Sequence, residues 1–262
     1  MSQTSHAQSH RGAVRKINED AFLELPHNGV WVVADGMGGH SAGDVASQLI
    51  IDTIQRVVES TESQALTCEV LVNALKKANE ELLYISKSQL KGKLAGSTVV
   101  VLFIKEQRCH MLWAGDSRGY LLRDQKLSQV TKDHSQVNDM VDEGILKKEE
   151  AEAHPLANVI TRAVGVDKEL EIEIKEVYLK HNDVFLLCSD GLNKEVSDTE
   201  IEQALQSSSI IDSGMALLHT SLVRNARDNV TCVLIKHQQK QQLVTTPLIN
   251  DDITIPFFRA LS

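Results

Sequence analysis

Hydrophobic and polar positions alternate along this chain with two different periods, and the periods divide it into elements. Val30-Trp31-Val32-Val33-Ala34 is a continuous apolar run that follows the turn signal Pro26-His27-Asn28-Gly29, and it predicts a buried strand. Ala21 to Leu25 alternates weakly before the turn and is expected to pair with that run as a hairpin, setting Asp20 near Asp35. Val45, Ala46, Leu49, Ile50, Ile54, Val57 and Val58 then recur at helical spacing. A second helix is expected from about Thr67 to Leu90, with Leu71, Ala74, Leu75, Ala78 and Leu82 on one face.

A β-rich block follows. Ser97 to Ile104 is strand-like by its β-branched content, and Arg108 to Ala114 and Gly119 to Arg123 continue it on either side of the turn Gly115-Asp116-Ser117-Arg118. Leu170 to Tyr178 alternates apolar and charged residues as a half-exposed strand should, Asp183 to Cys188 is a short buried strand, and Val230 to Ile235 is the last one. Between them Ile201 and Leu205, then Ile211, Met215, Leu218 and Leu222, are spaced as helices. Residues 131–165 are charged with little periodicity. They predict an N-cap region at Thr131–Ser135, short helices around 137–143 and 147–153, and an irregular segment over the surface, beside the active site or as a plain connecting loop. Strands, helices, strands, helices and a strand follow one another without regular βαβ alternation. That order implies antiparallel sheets with segregated helices, an α+β layered domain over residues 11–237. Residues 1–10 are expected to be a flexible, frayed start. Residues 238–262 are expected to be a linker and C-terminal tail, with HQQKQQ (237–242) as polar linker and the apolar positions of the tail packing back on the body, or else docking a partner.

Composition narrows the function. Apolar residues make up 42% of 262, enough for a sizeable core, and no 18-residue apolar run predicts a membrane span. A polar N-terminus without an apolar stretch predicts no secretory signal. Cys68, Cys109, Cys188 and Cys232 lie far apart in sequence, as free thiols of a reducing, cytoplasmic compartment would. The net charge of −9 argues against a nucleic-acid surface, yet it admits an anionic substrate if cations reverse the local sign.

The candidate chemistry lies at strand ends. Asp20, Asp35, Asp116, Asp190 and Asp228 all fall at expected strand ends or turns, with glycines beside several of them. Each alone is an ordinary turn aspartate. Gathered together they would repel one another unless cations or shifted pKa values relieve them. Oxygen ligands without His or Cys select Mg2+ or Mn2+ over zinc. Two such ions would activate a water and clamp a phosphoryl group, and Arg15 would offer a bidentate fork to phosphate oxygens. Spacing along the chain does not bring the five together, so a binuclear phosphohydrolase is here an expectation.

The motifs GxxRxxNED (Gly12 to Asp20), DGMGGH (Asp35 to His40), GST (Gly96 to Thr98), GDSR (Gly115 to Arg118), SDGL (Ser189 to Leu192) and DN (Asp228, Asn229) resemble, in order, those of the PP2C or PPM family of metal-dependent protein serine/threonine phosphatases, and Met37 resembles its bacterial branch. The resemblance implies an αββα sandwich of two antiparallel sheets flanked by helix pairs, with a variable flap at about 134–165. It implies two Mn2+ or Mg2+ ions, with Asp35 bridging them, Asp190 and Asp228 completing one site and the Gly36 carbonyl ligating the other. Asp116, with Asp190, would hold a third, weaker ion. Asp20 would orient or deprotonate the attacking water, and Arg15 would bind the substrate phosphate. The implied reaction is one-step attack of a metal-bridging hydroxide on phosphoserine or phosphothreonine. Where eukaryotic members carry a histidine, this chain has Met37, which has no proton to give, so the general acid stays unassigned, with His40 or a metal-bound water as substitutes. The implied partners are phosphoproteins and a serine/threonine kinase, with the enzyme a monomer. The alternatives are a phosphatase of a partner-switching protein or small phosphoester, a non-catalytic pseudophosphatase, and a calcium-binding structural protein.

Overall fold

Strands that are apolar on both faces must be covered on both faces, and this chain does so by stacking two sheets between two helical layers. The computed structural model describes residues 2–38, 42–89, 94–151 and 154–238. In chain order these form β1 (Ser2–His10), β2 (Asp20–Leu25), β3 (Val30–Gly38), α1 (Ala42–Ser60), α2 (Cys68–Ser88), β4 (Ala95–Ser97), β5 (Val99–Lys105), β6 (Arg108–Ala114), β7 (Arg118–Arg123) and β8 (Lys126–Gln129). There follow α3 (Gln136–Asp142), α4 (Lys148–Ala151), β9 (Glu173–Tyr178), β10 (Val184–Cys188), α5 (Asp190–Asn193), α6 (Asp198–Leu205), α7 (Ile210–Val223) and β11 (Val230–Gln238). One sheet has the order β1-β11-β10-β7-β8 and the other β2-β3-β5-β6-β9, with β4 paired to β3. The strand pairings are antiparallel.

The period of two along β3 divides its side chains between layers. Val30, Val32 and Ala34 face α1 and α2, where they meet Ala46, Ile50, Ile54 and Val58 of one helix and Leu71, Leu75, Ala78 and Leu82 of the other. Trp31 and Val33 enter the space between the sheets with Val100, Leu102, Phe185, Leu187, Val233 and Ile235. On the far side Val184, Leu186, Cys188 and Leu234 pack under Ile201, Leu205 and Leu217. Each Val or Leu so buried is worth about 1.5–3 kcal/mol. The three apolar layers give the αββα sandwich its rigidity, and among the described residues no helix is long and apolar enough to cross a membrane.

Several elements depart from the sequence reading. Residues 2–10 are not frayed: β1 pairs with β11 from Ser2↔Gln238 to His10↔Val230. Its sequence, SQTSHAQSH, carries almost no apolar signal, so backbone pairing at a sheet edge forms it. Because of that pairing β11 continues through His237, which is fully buried rather than the start of a linker. The stripe Ile211, Met215, Leu218 and Leu222 does not supply the buried face of α7. Ile211 and Met215 are more than half exposed, while Ser213, Gly214, Leu217 and Ser221 turn inward. A Cβ on Gly214 would come within 2.9 Å of His6, so small residues let this helix lie close to β1. The short strand β8 and the single-turn α5 were not anticipated. His40, Leu90, Ala153 and the tail from 239 onward lie outside the described residues.

Candidate metal centre

The register of the strands gathers their ends at one end of the sandwich. Asp20, the first residue of β2, pairs directly with Asp35 of β3. Val100, opposite Val33, belongs to the start of β5, and the end of β6 at Ala114 pairs with Val99, so Asp116 leaves the same end. In the other sheet Cys188, the last residue of β10, pairs with Arg118 of β7 and Cys232 of β11. Asp190 therefore follows β10, and Asp228 precedes β11, at that same end.

Hydrogen bonds between the sheets fix these ends. Ser189 Oγ donates to Asp20 Oδ2 at 2.7 Å and accepts from the Thr231 amide at 3.0 Å. Thr98 Oγ1 and Ser117 Oγ share a buried 2.7 Å bond that ties β5 to the turn holding Asp116. The Thr98 amide and Ser97 Oγ both donate to the Asp35 carbonyl, each at 2.9 Å. Asn229 accepts from the Glu19 amide at 2.8 Å and donates to the carbonyls of Arg11 and Ile17 at 3.0 Å, which holds the loop before β2 against the start of β11. Gly36 is required for proximity rather than for a left-handed turn: a Cβ there would lie 2.0 Å from the Gly43 carbonyl and 2.6 Å from that of Glu19.

The electrostatics show that all five aspartates share one field. The Asp35 carboxyl is pushed well above its usual range, by loss of solvent first and then by Asp20, Asp190, Asp116 and Asp228. Burial raises Asp20 to about 7, with Asp190 and Asp228 adding to it against the hydrogen bonds of Thr231 and Ser189. Burial likewise raises Asp116 to about 7, with Asp190 adding to it and the Lys194 charge opposing. Asp20 and Asp116 are buried, and one oxygen each of Asp20, Asp116 and Asp190 has no hydrogen-bond partner. Such unpaired buried carboxylate oxygens, with no nitrogen or sulfur donor among them, fit a hard divalent cation. Among the described residues no three His, Cys, Asp or Glu side chains are closed into a metal cage. Two of the aspartates instead hold protein cations: Arg15 reaches Asp228 Oδ2 at 2.8 Å, and Lys194 reaches Asp190 Oδ2.

Some supporting residues carried no sequence-stated role. Lys194 follows Asp190 by four residues, a spacing that faces two side chains on one helical turn. His134 accepts from the Gly115 amide through Nδ1 at 3.1 Å and stacks on Trp113, and so braces the turn that carries Asp116. The irregular segment does border the site: a cavity of about 310 Å³ separates Asn138, Ala157 and Asn158 from Asp116, Asp190 and Lys194. The thiols of Cys109 and Cys232 are raised to about 12 by burial, and Cys188 is raised further, which leaves no thiolate among them to act as nucleophile near neutral pH.

This fold agrees with known proteins. The family model for protein phosphatase 2C matches residues 4–239. The serine/threonine phosphatase stp of Listeria monocytogenes is 33% identical over 239 residues, covering 88% of this chain and 95% of that protein. Among solved structures, PppA, described as a key regulatory component of T6SS in Pseudomonas aeruginosa, superimposes with a TM-score of 0.81 at 40% identity, covering 90% of this chain and 99% of that one. The catalytic domain of the serine/threonine protein phosphatase PstP, solved with two manganese ions, gives a TM-score of 0.82 at 34% identity and covers 91% and 99% of the two chains. The chain belongs to the protein phosphatase 2C, or PPM, family. Within it, the chain is a metal-dependent protein serine/threonine phosphatase of bacterial type.

Proposed function

We propose that the five strand-end aspartates form the catalytic metal centre, with Asp35, the Gly36 carbonyl, Asp190 and Asp228 holding two Mn2+ or Mg2+ ions and Asp116, with Asp190, a third. The observation that carries this is geometric: Asp20 pairs with Asp35 across the hairpin, and one buried oxygen each of Asp20, Asp116 and Asp190 has no hydrogen-bond partner. When bound, such ions lower the pKa of a water and hold phosphoryl oxygens. Asp20, with its free Oδ1, would orient the attacking water and take up its proton as oxygen attacks phosphorus in line. The bond from phosphorus to the serine or threonine oxygen breaks in the same step, without a phosphoenzyme. Arg15, about half exposed, turns its planar fork from Asp228 to the substrate phosphate. Met37 has no proton to give, so the leaving oxygen takes its proton from solvent water and departs as the alcohol. The substrates are phosphoproteins of the cytoplasm made by a serine/threonine kinase, and the enzyme acts on them as a monomer.

Phosphate release from a phosphothreonine peptide, with Mn2+, with Mg2+ and with EDTA, tests the proposal. Turnover is expected with either metal, to stop in EDTA, and to fall at least about 100-fold in Asp190→Ala, since even outer-shell changes cost up to that much. Turnover that persists in EDTA, or in Asp190→Ala, would contradict it.

A further inference from the structure

Beside the acidic centre lies a rim of opposite charge. The loop from Arg11 to Ile17 is held against the strand start at Ala226–Asn229: the Ala13 amide donates to the Ala226 carbonyl at 2.8 Å, and a Cβ on Gly12 would lie 2.0 Å from the Asp228 carbonyl. Arg11 and Lys16 belong to that loop, and Arg227 belongs to the strand start it is held against, next to the Arg15–Asp228 pair. All three are exposed, and among the described residues their side chains take no hydrogen-bond or ion-pair partner. Behind the lip a pocket of about 470 Å³ runs between Gly191–Glu195 and Arg224–Asp228. Its other cations are committed. Arg224 holds Glu200 and the Glu195 carbonyl, and Lys194 holds Asp190. The Glu195 charge acts on Arg224, so among the described residues Arg227 is the pocket's free cation.

Free arginines are unusual company for a metal centre in a chain of net charge −9. An acidic enzyme repels an acidic peptide at long range, and only a local basic lip can hold one. We infer that the lip, with Arg227 over the pocket, selects substrates whose phosphorylated residue is flanked by an anion, either a carboxylate side chain or a second phosphate. The inference rests on the phosphatase function proposed above and adds to it the class of peptide that the site accepts. Arg227 offers two parallel N–H donors to a carboxylate or phosphate, and Arg11 and Lys16 add charge without fixed geometry. An exposed charge pair contributes about 0.2–1 kcal/mol, so two or three together amount to a preference of about 3- to 10-fold.

The test compares kcat/KM for phosphothreonine peptides that differ only beside the phosphothreonine: alanine, glutamate, lysine or a second phosphothreonine. Glutamate is expected to exceed alanine by about 3- to 10-fold at low salt, and the ratio is expected to shrink in 0.5 M salt as the charges are screened. Arg227→Gln is expected to lower the ratio to the share left by Arg11 and Lys16, and Arg227→Glu to lower it further. A doubly phosphorylated peptide that outruns the glutamate one identifies phosphate as the better anion, and the reverse identifies carboxylate. A ratio of one in the natural chain, or the same ratio in Arg227→Glu, would overturn the inference. Turnover of the alanine peptide reports the phosphatase function by itself. Peptide affinity by fluorescence anisotropy yields the same ratio without turnover, so the two ideas fail separately.

Discussion

Ser189 shows how a single side chain joins two sheets and an aspartate of the acidic centre. It leaves the end of β10 in one sheet and donates to Asp20 at the start of β2 in the other, while its own oxygen accepts from Thr231. Nothing in the motif Ser-Asp-Gly-Leu distinguishes this serine from the aspartate that follows it, because its partners lie 169 and 42 residues away. Ser189→Ala removes the donor that orients Asp20 and leaves the Thr231 amide without its acceptor. Turnover is expected to drop about 10- to 100-fold, as for other outer-shell changes. Stability is expected to fall by about 1–2 kcal/mol for the buried unsatisfied group. Rates on a phosphopeptide and a urea titration measure the two effects. The aspartates themselves were legible residue by residue, since each stands where an apolar run begins or stops. Beyond the Asp20–Asp35 pair of the hairpin, their meeting was not legible, since it depends on register between strands far apart in sequence.

Elements were readable wherever burial imposes a period. The hairpin of β2 and β3, helices α1 and α2, and the short strand β10 follow from their apolar positions, and the Asp20–Asp35 pairing follows from the turn between the strands. Elements formed by other forces were not. β1 rests on backbone pairing, and α7 buries serines and a glycine while it exposes Ile211 and Met215. The strand β7 illustrates a third case, in which polar groups fix an element's position. Arg118 forms a bidentate pair with Asp133 and donates to the Tyr120 hydroxyl, which in turn donates to Asp198, the first residue of α6. The pair is mostly buried, with Arg118 20% and Asp133 12% exposed. Asp133→Ala leaves a guanidinium without its counter-charge, and is expected to cost about 3 kcal/mol, at the lower end for a buried pair because Arg118 keeps some solvent. Chemical denaturation checks it, and a loss under 1 kcal/mol would show that water replaces Asp133.

At the scale of the whole molecule, three stacked apolar layers hold mutually repelling carboxylates at one end of the sandwich. That arrangement costs stability in the absence of cations, and the sign follows from the shifts. Asp20 and Asp116 are raised to about 7 and Asp35 well above its usual range, so the folded chain holds protons that the unfolded chain releases near pH 4. Their contribution is fully present below the unfolded pKa and is lost as pH rises through about 7. The buried imidazoles of His134 and His237, lowered by desolvation, act the other way below about pH 6.5. Above that pH the carboxylates dominate. A divalent cation that binds only the folded state adds about 2.7 kcal/mol at one hundred times its Kd. For a chain of this size that corresponds to a rise in Tm of roughly 5–10 °C.

The most direct measurement is the Tm of the EDTA-stripped protein at pH 6.5 and pH 8, with and without Mn2+, for the natural chain and for Asp35→Asn. The metal-free chain is expected to melt lower at pH 8 than at pH 6.5, and Mn2+ to raise the melting point at pH 8 by several degrees. Asp35→Asn, which lacks the central carboxylate, is expected to flatten the pH trend and lose most of the Mn2+ response. A metal-free Tm that is the same at both pH values, together with no shift on adding Mn2+, would contradict the claim that these five aspartates form one cation site.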